Sequence, residues 1–196
     1  TTVMTALPRD IHAAYPGQFE LAVDTNSMPL WAHNPHVLPA KELKARGKVE
    51  HVKLTYGKGI RDQNFETVHF LAYFHRDFEV QTRTHVPLTL PYPDLHLSEE
   101  EKTTPLVNGR YWVFLSGGKS DFTAKVWSTA HWKETIRQLQ TLGISCVQIG
   151  GTAKGHWHPE IDGVLNLVGK TDLRDMLRVL CHADGVICGV TGAMHM

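Results

Sequence analysis

The sequence predicts an α/β fold built from doubly wound parallel sheets, and three observations lead to this expectation. Residues 111–115 form a wholly apolar segment, typical of a strand that is covered on both faces of a parallel sheet. Residues 173–180 place apolar side chains at helical spacing on one face. Glycine-rich segments follow several apolar segments, at the points where an open parallel sheet binds its ligands.

The composition excludes several classes of protein. The chain has 196 residues, of which 42% are hydrophobic and 20% are charged, as in an ordinary globular protein. Lysine and arginine together number 20 and are balanced by 20 acidic residues, so the net charge gives no support to a nucleic-acid binder. No apolar run is long enough to span a bilayer and no signal-peptide pattern opens the chain, so we expect a cytoplasmic protein.

The three cysteines show no CxxC spacing, and they are odd in number. Because they lie in apolar strand or helix patterns, we expect all of them to be reduced core residues. They are Cys146, Cys181 and Cys188.

In the first half of the chain, a helix and two strands are expected. Residues 3–15 have the character of a helix, which Pro8 strains or kinks before a Pro-Gly turn ends it. Residues 19–24 alternate and run apolar, which predicts a strand, and residues 49–54 alternate enough for a second strand. A helix, a turn and a strand in this order make half of an α/β unit.

A second helix is expected over residues 64–80. Its apolar residues fall close to one face, and Asp62 or Asn64 can cap its first turn. Four polar residues of this segment are predicted to face mostly solvent: His75, Arg76, Asp77 and Glu79.

A boundary between two domains is predicted after the proline-rich segment 85–94. Proline forces extended backbone there, and an acidic, polar stretch follows at residues 98–102. We therefore expect a first Rossmann-like domain over residues 1–95, a linker over residues 96–109 and a second Rossmann-like domain over residues 110–196. Because both ends are abrupt, the first domain is expected to lack its first strand and the second to be truncated at its C-terminal end.

The second half follows a regular α/β order. Ser128 or Thr129 can cap the helix after the first strand, and Thr171 can cap a later helix. The expected order β-α-β-loop-β-α-β-α is that of a doubly wound domain. Strands are expected at residues 111–115, 145–149, 164–168 and 185–188, and a further helix is expected to begin at Thr191-Gly192.

Three strand ends are rich in glycine or small polar residues, and they form the candidate ligand site. Glycine lets a ligand approach the backbone, and free N–H groups at a helix start attract phosphate. Lys119 and Lys125 add mobile positive charge close by. Three such ends in one sheet favour a phosphate-bearing ligand over glycines that serve chain geometry alone. The three segments are residues 116–119, 150–152 and 189–192.

The pair His156 and His158 invites a metal site, but the surrounding residues favour another interpretation. No third ligand lies at a recognisable spacing, and Gly155 and Pro159 indicate a loop. We expect a solvated or ligand-lining loop here and no metal ion.

Several enzyme classes are excluded by the motifs that they require. The dinucleotide-binding fingerprint lacks its third glycine, the P-loop lacks its first glycine, and no Gly-x-Ser-x-Gly segment is present. The sequence therefore argues against a dehydrogenase, a kinase and a serine hydrolase.

Several segments together form a pattern that is found in one enzyme family. They are Ser116-Gly117-Gly118-Lys119, Lys125-Val126-Trp127, Gln148-Ile149-Gly150, residues 167–171, residues 183–187 and Thr191-Gly192-Ala193-Met194-His195, with residues 5–10 in the first helix. This pattern resembles glycosyltransferase family 9, which includes the bacterial heptosyltransferases. The resemblance covers nearly the whole chain, and it is specific over residues 111–196 and loose between residues 25 and 105.

The resemblance implies a GT-B architecture, in which two Rossmann-like domains face a cleft and the C-terminal domain holds most of the nucleotide-sugar. It implies that Lys125 neutralises charge on the leaving diphosphate and is the catalytic residue of this chain. The family's aspartate base would precede Thr1, and Val190 stands where the family often has an acidic residue. The implied donor-binding residues are Ser116, Gly117, Gly118, Lys119, Gly150, Gly151, Thr191, Gly192 and His195.

The expected reaction is the transfer of a heptose-like sugar from a nucleotide-diphosphate-sugar donor to an acceptor hydroxyl, without a metal ion or a cofactor. The acceptor is expected to be a lipopolysaccharide-core-like glycan, a protein or a small molecule, met in the cytoplasm or at the inner membrane face. Three alternatives remain open: a nucleotide-sugar epimerase of the same architecture, a non-catalytic nucleotide-sugar-binding module, and a chain that binds nothing because each domain is incomplete.

Overall fold

The computed structural model describes residues 2–55, 65, 67–120 and 125–196. The chain divides into two compact units, residues 1–96 and residues 97–196. Each unit has its own hydrophobic core, so each is described by itself. No helix of the described residues is both long and apolar enough to cross a lipid bilayer.

Helices dominate the described part of the first unit. They are α1 (Ala6–Ala14), α2 (Ala40–Ala45) and α3 (Phe70–Thr82), with 3-10 turns over Thr2–Thr5 and Met28–Trp31. The helix predicted over residues 3–15 is confirmed. Pro8 causes no break, because it lies in the first turn of α1, where its missing N–H needs no partner. Leu7, Ile11 and Phe74 are buried in the core of this unit.

The two strands predicted for the first unit, over residues 19–24 and 49–54, are not formed. Ala22 and Leu38 make one isolated parallel bridge, and residues 49–54 have no strand pairing. A strand persists only when its N–H and C=O groups pair with a neighbouring strand. Alternation of apolar residues does not supply that neighbour, so both predictions are wrong.

The start of α3 differs from the prediction. The helix begins at Phe70, and His69 caps it through Nδ1, which accepts a hydrogen bond from the N–H of Leu71 at 3.3 Å. The predicted caps Asp62 and Asn64 lie outside the described residues.

Two of the four polar residues predicted to be exposed on α3 are buried instead. His75 is 4% exposed and Asp77 is 8% exposed. The Nε2 atom of His75 is 2.7 Å from Oδ2 of Asp10, and its Nδ1 atom is 2.9 Å from the carbonyl oxygen of Leu71. Both ring nitrogens face acceptors, and the imidazolium form can donate to both of them. Pairing with a carboxylate explains how this polar residue enters the core.

Asp10 is the centre of a buried polar cluster in the first unit. It is 0% exposed, and it accepts hydrogen bonds from Arg9 at 2.9 Å, from His75 and from the hydroxyl of Thr89. Burial raises the pKa of Asp10, but the hydrogen bonds from Arg9, Thr89 and His75 outweigh it, so the pKa lies below its ordinary value of 3.8. The ionised carboxylate therefore joins α1 to α3 at neutral pH.

Two histidines, His36 and His96, lie against Asp94 near the end of the first unit, and His12 lies against His36. The Nδ1 atoms of His12 and His36 are 3.1 Å apart, and Nε2 of His96 is 3.0 Å from Oδ2 of Asp94. The Nε2 atom of His36 is 3.9 Å from the same oxygen. Burial lowers the pKa of His36, and repulsion from His12, His96 and Arg9 adds to it, against the attraction of Asp94.

We expect the free energy of unfolding to fall as the pH is lowered. Because the folded-state pKa of His36 lies below its ordinary value of 6.5, the unfolded chain binds the proton first. The stability contributed by neutral His36 is therefore present above pH 6.5 and is lost as the pH falls through the folded-state pKa. Denaturant unfolding between about pH 7.5 and about pH 5.5 measures this slope. His36→Gln should flatten it and the exposed control His85→Gln should not; an unchanged slope in His36→Gln would contradict the prediction.

The described residues of the second unit form six short strands. In chain order they are β1 (Tyr111–Leu115), β2 (Gly118–Lys119), β3 (Ser145–Gln148), β4 (His156–Trp157), β5 (Leu165–Asn166) and β6 (Gly185–Cys188). Four of them form a parallel sheet in the order β5-β3-β1-β6, in which Val113 pairs with Val147 and Val186. The chain builds this sheet outward from β1 to β5 and then returns to the other side of β1. The predicted doubly wound α/β arrangement is confirmed.

Three helices accompany this sheet. They are α4 (Glu99–Thr103), α5 (Thr129–Thr141) and α6 (Leu173–Cys181). Ser128 caps α5 as predicted, since its hydroxyl accepts from the N–H of His131 at 3.2 Å. Asp172 caps α6 in place of the predicted Thr171, because its carboxylate accepts from the N–H of Asp175 at 2.8 Å.

The sheet is buried on both faces, as the apolar β1 predicts. Val113 belongs to one core and Phe114 to the other, and they are 0% and 1% exposed. All three cysteines are free. Cys146 is buried and Cys188 is half-buried, but Cys181 is exposed at the end of α6, so the predicted core position is wrong for Cys181.

The segment expected as a linker, residues 96–109, contains α4. The hydroxyl of Ser98 accepts from the N–H of Glu101 at 3.1 Å, and the Glu101 carboxylate accepts from the N–H of Ser98 at 2.7 Å. The same carboxylate accepts from Nε of Arg174 at 2.8 Å and from its Nη2, and both side chains are 15% exposed. Residues 97–109 thereby attach to α6 and belong to the second unit.

Replacing Arg174 with alanine is expected to lower the free energy of unfolding by about 2 kcal/mol. The change leaves the partly buried Glu101 carboxylate without its bidentate partner. Chemical denaturation measures the effect. Lys102→Ala is the matched control, because Lys102 pairs with Glu99 on the exposed side of α4, the helix that carries Glu101. This variant should leave the midpoint unchanged. Equal midpoints for the two variants would contradict the prediction.

Candidate functional site

The carboxyl ends of β1 and β6 lie side by side where the strand order reverses, and ligands bind at this point of open α/β sheets. The segment that contains Lys125 lies against both ends. A methyl group on Gly189, after β6, would be 3.4 Å from the carbonyl oxygen of Lys125. A methyl group on Gly118, in β2 after β1, would be 3.0 Å from Cγ2 of Val126. The fold therefore brings Lys125, Gly118 and Gly189 to one place.

An antiparallel ribbon of β2 and β4 follows the end of β1. Gly118 pairs with Trp157, and Lys119 pairs with His156. A loop was expected around His156 and His158, and this expectation is wrong for β4, because β2 supplies its backbone hydrogen-bond partners. Both Lys119 and His156 are exposed on this ribbon.

The ribbon brings the ring of His158 to the ends of β1 and β3. A methyl group on Gly117 would lie 2.1 Å from Nδ1 of His158, and one on Gly150 would lie 2.0 Å from its Cε1 atom. The Nε2 atom of His158 is 2.9 Å from the carbonyl oxygen of Gly151. An imidazole thus occupies the space that the two glycines leave, and sequence reasoning had named His158 only as part of a loop.

Replacing Gly117 with alanine is expected to lower the free energy of unfolding by about 1–3 kcal/mol, because the added methyl group overlaps the His158 ring and the carbonyl oxygen of Trp157. Gly151→Ala is the matched control, since a methyl group there meets nothing within 4 Å. Thermal or denaturant unfolding compares the two variants. The packing described for His158 would be contradicted if both variants unfolded at the same midpoint.

Ser116, one of the expected donor contacts, is buried, at 2% exposure. Its Oγ atom accepts from Nε2 of Gln148 at 2.9 Å, and the same nitrogen donates to the carbonyl oxygen of Pro159 at 2.9 Å. The carbonyl of Pro159 can only accept, so it fixes the orientation of the Gln148 amide. Sequence reasoning gave Gln148 no role; a polar residue inside the apolar run of β3 was the available signal.

The segment after β6 is a 3-10 turn over Gly192–His195, with Thr191 at its N-cap. The hydroxyl of Thr191 makes no capping bond and, within the described part of the chain, is buried without a hydrogen-bond partner, which is uncommon in proteins. Gly192 is exposed, and His195 is half-buried. Val190 is 57% exposed. This turn therefore holds an unused hydroxyl two residues beyond Gly189, which lies against the Lys125 segment.

No metal centre stands out in the parts of the chain that the structure describes. There, no group of three His, Cys, Asp or Glu side chains is arranged to hold a metal ion. The two histidines of the ribbon turn to different carbonyl groups: Nδ1 of His156 is 3.0 Å from that of Ala153, and His158 lies against Gly151.

Several solved structures are similar to this chain, and three of them follow. E. coli ADP-heptose lps heptosyltransferase II is 17% identical, with 99% of this chain and 76% of that chain covered and a TM-score of 0.60. A glycosyl transferase family 9 protein from Veillonella parvula DSM 2008 is 13% identical, with 99% and 72% covered and a TM-score of 0.73. The bacterial iron-containing dodecameric glycosyltransferase TibC from enterotoxigenic E. coli H10407 is 20% identical, with 98% and 51% covered and a TM-score of 0.54.

These structural matches confirm the GT-B-like α/β fold that the resemblance implied. No curated protein sequence matches the chain. A family model described as glycosyltransferase family 9 (heptosyltransferase) matches residues 47–196, which is most of the chain and includes the whole second unit. The chain therefore belongs to glycosyltransferase family 9.

Proposed function

We propose that this family 9 glycosyltransferase transfers a heptose-like sugar from a nucleotide-diphosphate-sugar donor to an acceptor hydroxyl. The observation that carries the proposal is the position of Lys125, whose backbone lies against Gly189 at the reversal point of the sheet. A mobile cation beside glycine-rich strand ends suits the diphosphate of such a donor.

In the proposed mechanism, the protein stabilises the negative charge that develops on the leaving diphosphate. Lys125 supplies a cation at this charge, and the exposed backbone at Gly192 supplies a hydrogen-bond donor. Thr191 adds a hydroxyl that has no partner in the fold. Asp10 is not the base that activates the acceptor, because it is 0% exposed and already accepts hydrogen bonds from three side chains.

We propose that the transfer needs no metal ion, since the side chains named above provide the positive charge. TibC is described as iron-containing, so the point needs a direct test. Turnover that survives a strong chelator supports the proposal. Loss of turnover with EDTA, and its recovery with an added divalent cation, would overturn it.

The donor and the acceptor are proposed by class. The similar E. coli protein is named an ADP-heptose lps heptosyltransferase. ADP-heptose is therefore the first donor to test, and a lipopolysaccharide-core-like glycan is the first acceptor. A protein or a small molecule is the other acceptor class. Such acceptors place the reaction in the cytoplasm or at the inner face of the membrane.

The test is a thermal-shift panel of ADP-heptose, ADP-glucose, UDP-glucose and GDP-mannose. A ligand that binds only the folded state adds about 2.7 kcal/mol of stability at a hundredfold excess over its dissociation constant. A selective rise of the melting midpoint with one nucleotide-sugar is the expected result. A cooperative melt that no nucleotide-sugar shifts would overturn the proposed function.

A second candidate function is a nucleotide-sugar-binding module without catalysis. Val190 favours it, because an exposed valine replaces the acidic residue that the family often has beside this Thr-Gly pair. The two functions are separated by incubating the protein with the bound donor and an acceptor glycan. Release of the nucleoside diphosphate supports the transferase, and binding without release supports the module.

A further inference from the structure

One ring nitrogen of His158 is not used by the fold. Its Nε2 atom lies 2.9 Å from the carbonyl oxygen of Gly151, which can only accept, so Nε2 carries a proton. The neutral ring therefore has its lone pair on Nδ1. That atom is buried and has no hydrogen-bond partner among the residues that the structure describes. A buried acceptor without a partner is costly, which indicates that the fold keeps it for another purpose.

The ring lies at the strand ends where the donor diphosphate is proposed to bind. It contacts the backbone at Gly117, two residues after β1, and at Gly150, two residues after β3. An anion bound at the turn after β1 would lie beside this ring, and an opposite charge within roughly 4–6 Å favours the ionised form of a side chain. Histidine is the side chain whose charge changes most readily near neutral pH.

We propose that His158 is a donor-site residue that becomes protonated when the nucleotide-sugar binds. The proton comes from solvent and adds to the lone pair on Nδ1, and no covalent bond of the donor changes in this step. The imidazolium then neutralises part of the diphosphate charge, beside the cation of Lys125. This inference rests on the proposed function.

No charged side chain of the described residues pairs with His158, so a bound diphosphate would be the main charge that acts on its ring. The ring lies against the backbone of Gly117 and Gly150, which carries no charge. Among the described residues, no charged side chain makes a hydrogen bond or an ion pair with His158. The nearest titratable groups in sequence or on the adjoining segments are exposed: Lys119, Lys125, His156 and Glu160.

Isothermal titration calorimetry tests the inference on the unchanged protein. The probe is the tightest binder among ADP-heptose, ADP-glucose, UDP-glucose and GDP-mannose, because the diphosphate of a nucleotide-sugar does not itself titrate near neutral pH. Titrations in two buffers of different ionisation enthalpy give the number of protons taken up. We expect proton uptake on binding, and an affinity that rises by up to about tenfold for each unit that the pH falls through the neutral range.

Variants assign the proton to its residue. His158→Phe keeps a ring between the two glycines but cannot titrate, and His158→Gln keeps an N–H for Gly151; both should lose the proton uptake and the pH dependence of binding. The control His156→Gln, on the same ribbon, should keep both. Binding without proton uptake, or uptake that survives in His158→Phe, would overturn this inference alone. If the unchanged protein bound no nucleotide-sugar at any pH, the proposed function would fall as well.

Discussion

Replacing Lys125 with alanine is expected to lower kcat about 10²–10³-fold. The lysine is exposed, and its backbone lies against Gly189 at the reversal point of the parallel sheet. Charge grows on the diphosphate as the sugar leaves, so a cation at this point acts more strongly in the transition state than in the ground state. Steady-state release of nucleoside diphosphate measures the effect.

The controls for Lys125→Ala separate charge from structure. Lys125→Arg keeps the positive charge and should retain more activity than the alanine variant. Lys133→Ala removes an exposed lysine of α5, whose ion pair with Asp162 spans 3.7 Å, and should leave kcat unchanged. All of these variants should melt at the same midpoint. A rise in KM with an unchanged kcat in Lys125→Ala would assign Lys125 to ground-state binding and contradict the catalytic role.

Replacing Asp10 with alanine is expected to lower the free energy of unfolding by about 3–5 kcal/mol. Asp10 is 0% exposed, and its loss removes the hydrogen-bond acceptor of His75 and Thr89. It also leaves the guanidinium of Arg9, whose side chain is 11% exposed, without its ion-pair partner. A buried charge without a partner is among the most destabilising changes in a core. Denaturant unfolding at neutral pH measures this loss.

The exposed pair of Glu79 with His85 provides the control for Asp10→Ala. Glu79→Ala breaks an ion pair in the same unit and should change stability little, because both side chains are in water. The pKa of Asp10 lies below 3.8, so the stability that its ionised form contributes is present above about pH 4 and is lost as the pH falls through the folded-state pKa. The difference in the free energy of unfolding between the unchanged protein and Asp10→Ala should therefore shrink in acid. A difference that grew in acid would contradict the assigned pairing.

The sequence predicted the elements whose own residues determine them. β1 is apolar throughout, and α6 carries its apolar face and its cap within a dozen residues, so both could be recognised locally. The strands expected at residues 19–24 and 49–54 depended on a pairing partner, and a pattern of alternation contains no information about that partner. His75 was expected in solvent because its partner Asp10 lies 65 residues away along the chain.

The same limit applies to the candidate site. Lys125 and the glycine-rich strand ends could be located from short motifs, because each lies within one segment of sequence. The role of Gln148 depends on Ser116 and Pro159, and that of His158 depends on Gly117 and Gly150. Such contacts join strands that are distant in sequence and become visible only when the sheet is assembled.

The packing of one imidazole between two glycines has a consequence for how this sequence can vary. Gly117 and Gly150 are required by the ring of His158, so the three positions form one evolutionary unit. Homologues that keep the histidine should keep both glycines, and homologues with a small residue at position 158 are free to carry side chains at positions 117 and 150. We therefore expect substitutions at positions 117, 150 and 158 to be correlated in an alignment of homologues.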